Sequence, residues 1–416
     1  MDYTLFILIL ASCGALFMAF SNGANDVANS FASAVGSKAL TLKRALLISS
    51  IVTFLGAVLL GGNVAACLVE GIAHPALFND TNRYILAMLT VLLASGTFIL
   101  LSTITGMPVS STHSIVGSLT GVSIAAAGWN TINWNILSKI CISWIASPLL
   151  AGIASYSLIV LIQKYIIGGK DSNTISKVLT RLPYFLAVSV SAATWVLTQG
   201  SHLAIIQANN SLSTACIAII PAPIVFIASR WLLKRWLKKA KNTPKGVERA
   251  FRRLQIGTSC AVAFSNGAND VANSISPVFA IYVVTKHGGV LNKFTGETIP
   301  FWILTLGGIG IVLGIMTFGQ KVISTLGKKI TKISNSRGFC IDYSVASVVL
   351  CASALGIPVS TTHAATGAIV GAGLSTGARN VHFGLLGKIF IAWIITVPSA
   401  ALITVLIYQC LNWLIF

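Results

Sequence analysis

The sequence predicts an all-α polytopic membrane protein with about twelve transmembrane spans, in two inverted-topology repeats with discontinuous or re-entrant helices. Three observations predict it. The 416 residues are 55% hydrophobic and 9% charged, with a mean hydropathy of +0.85, which lies outside the soluble globular class. Apolar runs close to the ~20 residues that cover a hydrocarbon core recur along the chain. The undecapeptide FSNGANDVANS stands at 20–30 and again at 264–274.

In chain order the predicted crossings are 3–35, 45–69, 84–104, 105–127, 136–163, 182–200, 212–233, 254–285, 299–318, 338–355, 356–375 and 384–413. The first lacks the basic start and small-residue cleavage site of a secretory signal, so it is expected to be retained. The windows 3–35 and 254–285 exceed one perpendicular helix, which predicts a helix plus a re-entrant or discontinuous piece in each. Gly23 and Gly267 offer either the break or a close backbone approach.

The formal charge of +19 comes from 28 basic residues in short segments between apolar spans, a topogenic pattern and not a nucleic-acid surface. Lys38, Lys43 and Arg44 mark one cytoplasmic segment; Lys164, Lys170, Lys177 and Arg181 a second; Lys321, Lys328, Lys329, Lys332 and Arg337 a third. The segment 230–253 holds ten basic residues against Glu248 alone and is expected to be a cytoplasmic basic loop. A lipid- or calmodulin-binding amphipathic stretch is its alternative reading. Segments 70–83, 128–138 and 286–298 fall outside, and so do both termini. The eight cysteines are scattered, with no close pair, as small core hydrophobes and not a disulfide or metal framework.

The duplication extends past the undecapeptide. TGMPVSSTHSIVGSLTGV at 105–122 returns as LGIPVSTTHAATGAIVGAG from 355, and SKICISWIASP at 138–148 as GKIFIAWIITVP at 387–398. The three blocks recur at offsets of 244, 250 and 249 to 250 residues. A near-constant offset means internal duplication. Asp26 lies in the first predicted crossing and Asp270 in the eighth, an offset of seven spans, and an odd offset turns the second copy over. The expected organisation is a first inverted repeat of five spans at 1–163, a two-span connector at 164–253 and a second five-span repeat at 254–416.

Within each undecapeptide, Asn22, Asn25, Asp26 and Asn29, and again Asn266, Asn269, Asp270 and Asn273, fall at i, i+3, i+4 and i+7. That spacing puts each set on one helix face. Their oxygens suit a hard cation such as Na⁺, and the amide NH₂ groups can donate to an anion. A helix-packing hydrogen-bond seam is the bland alternative. An unpaired carboxylate argues against it, since even lenient insertion scales charge roughly 2.5–3.5 kcal/mol for one at the helix centre. Of the nine acidic residues, Asp26 and Asp270 are the two read as lying well inside apolar runs.

The second block opens with Pro108 or Pro358, followed by Ser110, Ser111, Thr112 and His113, or by Ser360, Thr361, Thr362 and His363. Proline suits a first helical turn and Ser/Thr its cap. Two such helix N-termini at membrane depth, one from each repeat, form a candidate anion site with the hydroxyls as donors. Asn22 and Asn266 join the anion-binding set, whereas Asp26, Asn25, Asn29, Asp270, Asn269 and Asn273 form the cation set. His113 and His363 fit either a proton-linked group or a buried ring that closes a hydrogen bond, and they stand behind the site.

The spans carrying these blocks hold carboxylates and hydroxyls but essentially no Lys or Arg to balance an oxyanion. Carboxylate and anion repel by several kcal/mol in a low-dielectric interior, so a cation must enter with the anion. The pattern points to symport by alternating access. A sulfate or other oxyanion carrier, a cation carrier or exchanger, and a channel remain readings of the same residues. A hydrolase built from serine, His113 and Asp26 fits poorly, because a duplicated asymmetric catalytic site has no obvious purpose. The chain is expected not to be an enzyme and to use no organic cofactor.

The paired GANDVANS blocks at 23–30 and 267–274, with the paired PVS[ST]TH blocks at 108–113 and 358–363, closely resemble the inorganic phosphate transporter (PiT) family over nearly the whole chain. The resemblance implies twelve spans in inverted repeats, cation-coupled phosphate import (Na⁺, alternatively H⁺) across the cytoplasmic membrane, and a homodimer. It implies that Asp26, Asn25, Asp270 and Asn269 hold coupling ions, and that Ser110, Ser111, Thr112, Ser360, Thr361 and Thr362 contact phosphate. Ala66 and Ser324 stand where eukaryotic members often carry glutamate, a departure that leaves the coupling ion open. The short hydrophilic loops fit a bacterial member.

Overall fold

The computed structural model describes residues 3–72, 75–78, 80–107, 109–167, 174–200, 211–238, 243–290, 297–329 and 333–415, and among them the fold is all-helical with no strand. The α-helices are α1 (Tyr3–Gly36), α2 (Leu42–Leu60), α3 (Gly62–Ile72), α4 (Thr81–Ile104), α5 (Ser111–Ala127), α6 (Trp134–Ile162), α7 (Thr174–Gly200) and α8 (Ser211–Ile219). They continue with α9 (Pro221–Leu237), α10 (Pro244–Lys286), α11 (Phe301–Lys329), α12 (Asn335–Ala354), α13 (Thr361–Leu374) and α14 (Phe383–Ile415).

Eight helical stretches among the described residues are long and apolar enough to cross a membrane: Tyr3–Gly36, Leu42–Leu60, Thr81–Ile104, Trp134–Ile167, Ala215–Leu237, Phe301–Ile323, Asn335–Ala354 and Phe383–Ile415. The other predicted crossings fall on α5, α7, α10 and α13. With 17 and 14 residues, α5 and α13 are shorter than the ~20 a full crossing takes.

The expected interruption inside the long windows is not found. Helix α1 runs unbroken through Gly23, and α10 runs unbroken through Gly267 for 43 residues. The glycines serve close approach instead. A Cβ on Gly23 would stand 2.1 Å from the Ile311 carbonyl oxygen on α11, and one on Gly267 2.0 Å from the Thr53 carbonyl oxygen on α2. One glycine costs a helix only about 1 kcal/mol, which tight backbone packing in a bilayer can offset.

The discontinuity lies at the second block. Helix α4 ends in a left-handed glycine, Gly106 (φ 72°), and α12 in Gly356 (φ 68°). Both ends close in the same double bond: Gly106 N–H to Thr103 and Met107 N–H to Ser102, matched by Gly356 to Ser353 and Ile357 to Ala352. This Schellman closure stops the helix. Among the described residues that follow, Ser110 and Ser360 are extended, and a new helix starts at Ser111 or Thr361. Pro108 lies outside the described residues.

Helices from the two halves of the chain interlock. Helix α11 packs on α1, α2 on α10, α13 on α6, and α14 on α5. The basic segment 230–253 differs from the predicted loop. Arg230–Leu237 completes α9 and Pro244–Arg253 begins α10, so the described connection is helical on both sides. Thr243 caps α10 by accepting from Gly246 N–H, with Pro244 in the first turn, and Lys and Arg are good helix formers. Arg252 donates to the Ala39 carbonyl at 3.0 Å. Lys170 and Lys332 lie outside the described residues, and so do the side chains of Ala66 and Ser324.

Candidate functional site

The stripes of α1 and α10 face each other and the starts of α5 and α13. All sixteen predicted side chains are buried, none more than 7% exposed: Asn22, Asn25, Asp26, Asn29, Ser110, Ser111, Thr112, His113, Asn266, Asn269, Asp270, Asn273, Ser360, Thr361, Thr362 and His363. Ser110 and Ser360 cap their helices, each hydroxyl oxygen accepting from the N–H of the histidine three residues on at 3.2 Å. The helix starts thereby stand beside the aspartates, with the side-chain hydroxyls of Ser111, Thr361 and Thr362 reaching the carboxylates.

The Asp26 carboxylate accepts from Ser111 Oγ at 2.7 Å, Asn29 Nδ2 at 3.0 Å and Thr362 Oγ1 at 3.3 Å. Asp270 accepts from Asn269 Nδ2 at 2.9 Å and Thr361 Oγ1 at 3.4 Å. Two asparagines complete the web: Asn29 Nδ2 donates to Thr361 and Thr362, and Asn273 Nδ2 to Ser111. The predicted ion residues and the predicted anion residues therefore form one cluster built from both halves of the chain.

Among the described residues no lysine or arginine pairs with either aspartate. The side-chain oxygens of Asn22, Asn25, Asn266 and Asn273 are buried with no hydrogen-bond partner. Polar atoms of this kind are rare and call for an explanation. A small cavity between the stripes is lined by Asn22, Asp26, Ser30, Thr53, Asn266 and Asp270, with Gly23, Val27, Ile311 and Ile315 as its apolar wall. Two carboxylates and orphan amide oxygens around one cavity are a donor set for a hard monovalent or divalent cation.

The stripes are not used uniformly. Asn22 and Asn266, expected with the anion set, line the cavity beside the aspartates, and none of the six Ser/Thr residues of the second blocks lines it. Asn22 also donates to the Asp270 backbone carbonyl at 2.8 Å. Asn25 turns to Thr103 Oγ1 at 3.0 Å and the Met107 carbonyl at 3.3 Å. Thr112 donates to the Val359 carbonyl and Thr362 to the Val109 carbonyl, so each hydroxyl also ties its helix to the residue before the opposite cap.

Sequence reasoning missed Ser30, the last residue of the first undecapeptide, and the hydroxyls of Thr53 and Thr103 within predicted crossings. It also missed a third buried carboxylate, which corrects the reading that two aspartates alone lie deep in apolar runs. Asp342 on α12 is 1% exposed and accepts from Ser33 of α1 and Ser259 of α10, both at 2.5 Å. Its position eight residues into α12, within GFCIDYSVASVV, was the available signal.

The Phosphate transporter family model matches residues 22–404 of this chain. A Thermococcus kodakarensis protein provisionally named a phosphate permease is 39% identical over 413 residues, covering 99% of this chain and 98% of its own length. A Haemophilus influenzae protein with the same provisional name is 34% identical over 415 residues, covering 99% and 98%. A solved structure described as the sodium-dependent phosphate transporter superposes with a TM-score of 0.91 at 39% identity, covering 99% of this chain and all of that one.

Proposed function

This multi-pass membrane protein belongs to the phosphate transporter family, and we propose that it imports inorganic phosphate together with Na⁺ by alternating access. The observation that carries the ion coupling is the donor set itself. Asp26 and Asp270 share a buried cluster with four unpartnered asparagine oxygens and, among the described residues, no paired basic side chain. A phosphate brought beside two such carboxylates is repelled strongly at interior dielectric. Small cations between them remove that repulsion, and neither charge is then stable alone. The sodium dependence named for the superposing structure supports Na⁺ over H⁺.

In this reading Asp26, Asn25, Asn29, Asp270, Asn269 and Asn273 hold the coupling ions. Ser110, Ser111, Thr112, Ser360, Thr361 and Thr362 hold phosphate with the first-turn amides of α5 and α13. The web supports an exchange: Ser111, Thr361 and Thr362, which donate to the carboxylates, turn their protons to phosphate when cations take the carboxylate oxygens. Asn22 and Asn266 face the cavity and serve the ion path on its way to the cluster. No catalytic step is required of any residue.

The proposed architecture is twelve crossings in two inverted five-span repeats, 1–163 and 254–416, with 164–253 between them. The matched Schellman ends, matched serine caps and matched glycine contacts of the two halves support it. The termini then lie outside and the basic 230–253 segment in the cytoplasm, and the functional unit is a homodimer in the cell membrane. Cysteine accessibility from each side of sealed vesicles tests the topology, and labelled phosphate uptake under an imposed Na⁺ gradient tests the function.

A further inference from the structure

Behind the hydroxyl blocks, His113 and His363 meet with ring centroids 4.4 Å apart. Each packs on one tryptophan ring and bonds to the backbone of the other. His113 lies 3.8 Å from the Trp144 ring with Nδ1 3.2 Å from the Trp393 carbonyl oxygen. His363 lies 3.6 Å from the Trp393 ring with Nδ1 3.0 Å from the Trp144 carbonyl oxygen. A carbonyl oxygen only accepts, so both Nδ1 atoms carry hydrogen. Both Nε2 atoms are buried without a partner. Among the described residues no carboxylate is hydrogen-bonded to either ring, so a proton added there makes an uncompensated buried charge.

Pro148 explains why one of these bonds is needed. It lies four residues after Trp144 in α6 and has no N–H, so the Trp144 carbonyl lacks its helical donor. At membrane depth that carbonyl must find another partner, and His363 Nδ1 supplies it. In α14 the proline stands one place later, at Pro398, so Val397 N–H remains available to the Trp393 carbonyl. The His113 bond is accordingly the longer of the two.

We propose that His113 and His363 are positioning residues: neutral Nδ1–H imidazoles that lock the tips of α5 and α13 to α14 and α6, holding the two hydroxyl blocks in register, and not carriers of a coupled proton. The proposal rests on the phosphate-import reading. Ring and cap hold the same residue from opposite sides, since Ser110 and Ser360 bind the histidine backbone amides. The adjoining Thr112 and Thr362 then reach the Val359 and Val109 carbonyls.

The test uses the full chain in proteoliposomes and ¹⁵N-histidine spectra of the wild type. His363→Leu is expected to raise the phosphate half-saturation by about tenfold or more, and His113→Leu by less, because only Trp144 is left without a helical donor. His363→Asn, whose amide can replace Nδ1–H, is expected to stay within about threefold, and Pro148→Ala to recover most of the loss in the His363→Leu background by restoring a backbone donor. The spectra should show neutral Nδ1–H rings from about pH 6 to about pH 8.5, with the uptake pH profile unchanged in His363→Asn. An imidazolium signal in that range overturns the proposal. So does a shifted pH profile in the Asn variant, an unchanged half-saturation in His363→Leu, or recovery by neither Asn nor Pro148→Ala. Absence of phosphate uptake by the wild type would instead remove the import reading, and the spectra would still decide the protonation of the rings.

Discussion

Ser111 donates its hydroxyl proton to Asp26 at 2.7 Å while accepting from Asn273 at 3.3 Å, so one side chain at the tip of α5 joins the aspartate of α1 to the asparagine of α10. A hydrogen bond to a charged group contributes about 1.5–3 kcal/mol. Ser111→Ala is therefore expected to weaken apparent Na⁺ or phosphate affinity by roughly ten- to a hundredfold. Ser111→Thr, which keeps the hydroxyl, is expected to retain most of it. Uptake titrations in each substrate check both, and equal effects from the two variants would contradict the role given to the hydroxyl.

Gly23 offers a test of packing independent of transport. Alanine in a helix interior gains about 1 kcal/mol of propensity over glycine. Here the added Cβ would stand 2.1 Å from the Ile311 carbonyl oxygen, and overpacking costs about 1–3 kcal/mol. The clash wins, so Gly23→Ala and Gly267→Ala should lower thermal stability in detergent, while an alanine at Gly257, which meets nothing within 4 Å, should not.

Asp342 ties α12 to α1 and α10 through Ser33 and Ser259. Asp342→Ala leaves both hydroxyls without their acceptor and is expected to cost about 1–3 kcal/mol. Asp342→Asn keeps one acceptor oxygen and should cost less. Thermal unfolding of the purified variants measures the difference, and two equal values would show that the oxygens do not matter.

Outside the membrane, Glu297 accepts from Lys286 at 2.9 Å and from His287 at 2.8 Å. The Lys286 hydrogen bond first, and then that of His287, hold its carboxyl below the usual range. A depressed carboxyl stabilises above its ordinary titration and loses that contribution as pH falls through the lowered folded value. Glu297 is partly exposed and its partner Lys286 exposed, so salt screens the pair. Glu297→Gln should thus reduce stability slightly near neutral pH and low salt, and not at all in strong acid or at high salt. Melting curves across pH and salt report this, and an undiminished effect in acid would contradict it.

Much of the site is legible in the sequence because the duplication repeats it. Period and charge place Asn22, Asn25, Asp26 and Asn29 on one face, and helix-start chemistry places Ser110 and Ser360 as caps; both arrangements appear in the structure. Span length misled the reading of α1 and α10, because a helix through Gly23 or Gly267 remains continuous when the glycine receives a neighbouring backbone. The partners in that contact, Ile311 and Thr53, are distant in sequence and carry no mark of it. Asp342 escaped because its neutral-looking surroundings hide three-helix contacts with single serines. The crossing of His113 to Trp393 and His363 to Trp144 likewise depends on packing between halves, which a repeat offset alone does not give.

The most direct measurement is labelled phosphate uptake into proteoliposomes under separately imposed Na⁺ and H⁺ gradients, in the wild type and in Asp26→Asn and Asp270→Asn. The account predicts uptake driven by inward Na⁺, absent without it, and lost in both variants. Uptake that proceeds undiminished without Na⁺, or in either variant, would contradict the claim that cations bridge these aspartates to phosphate.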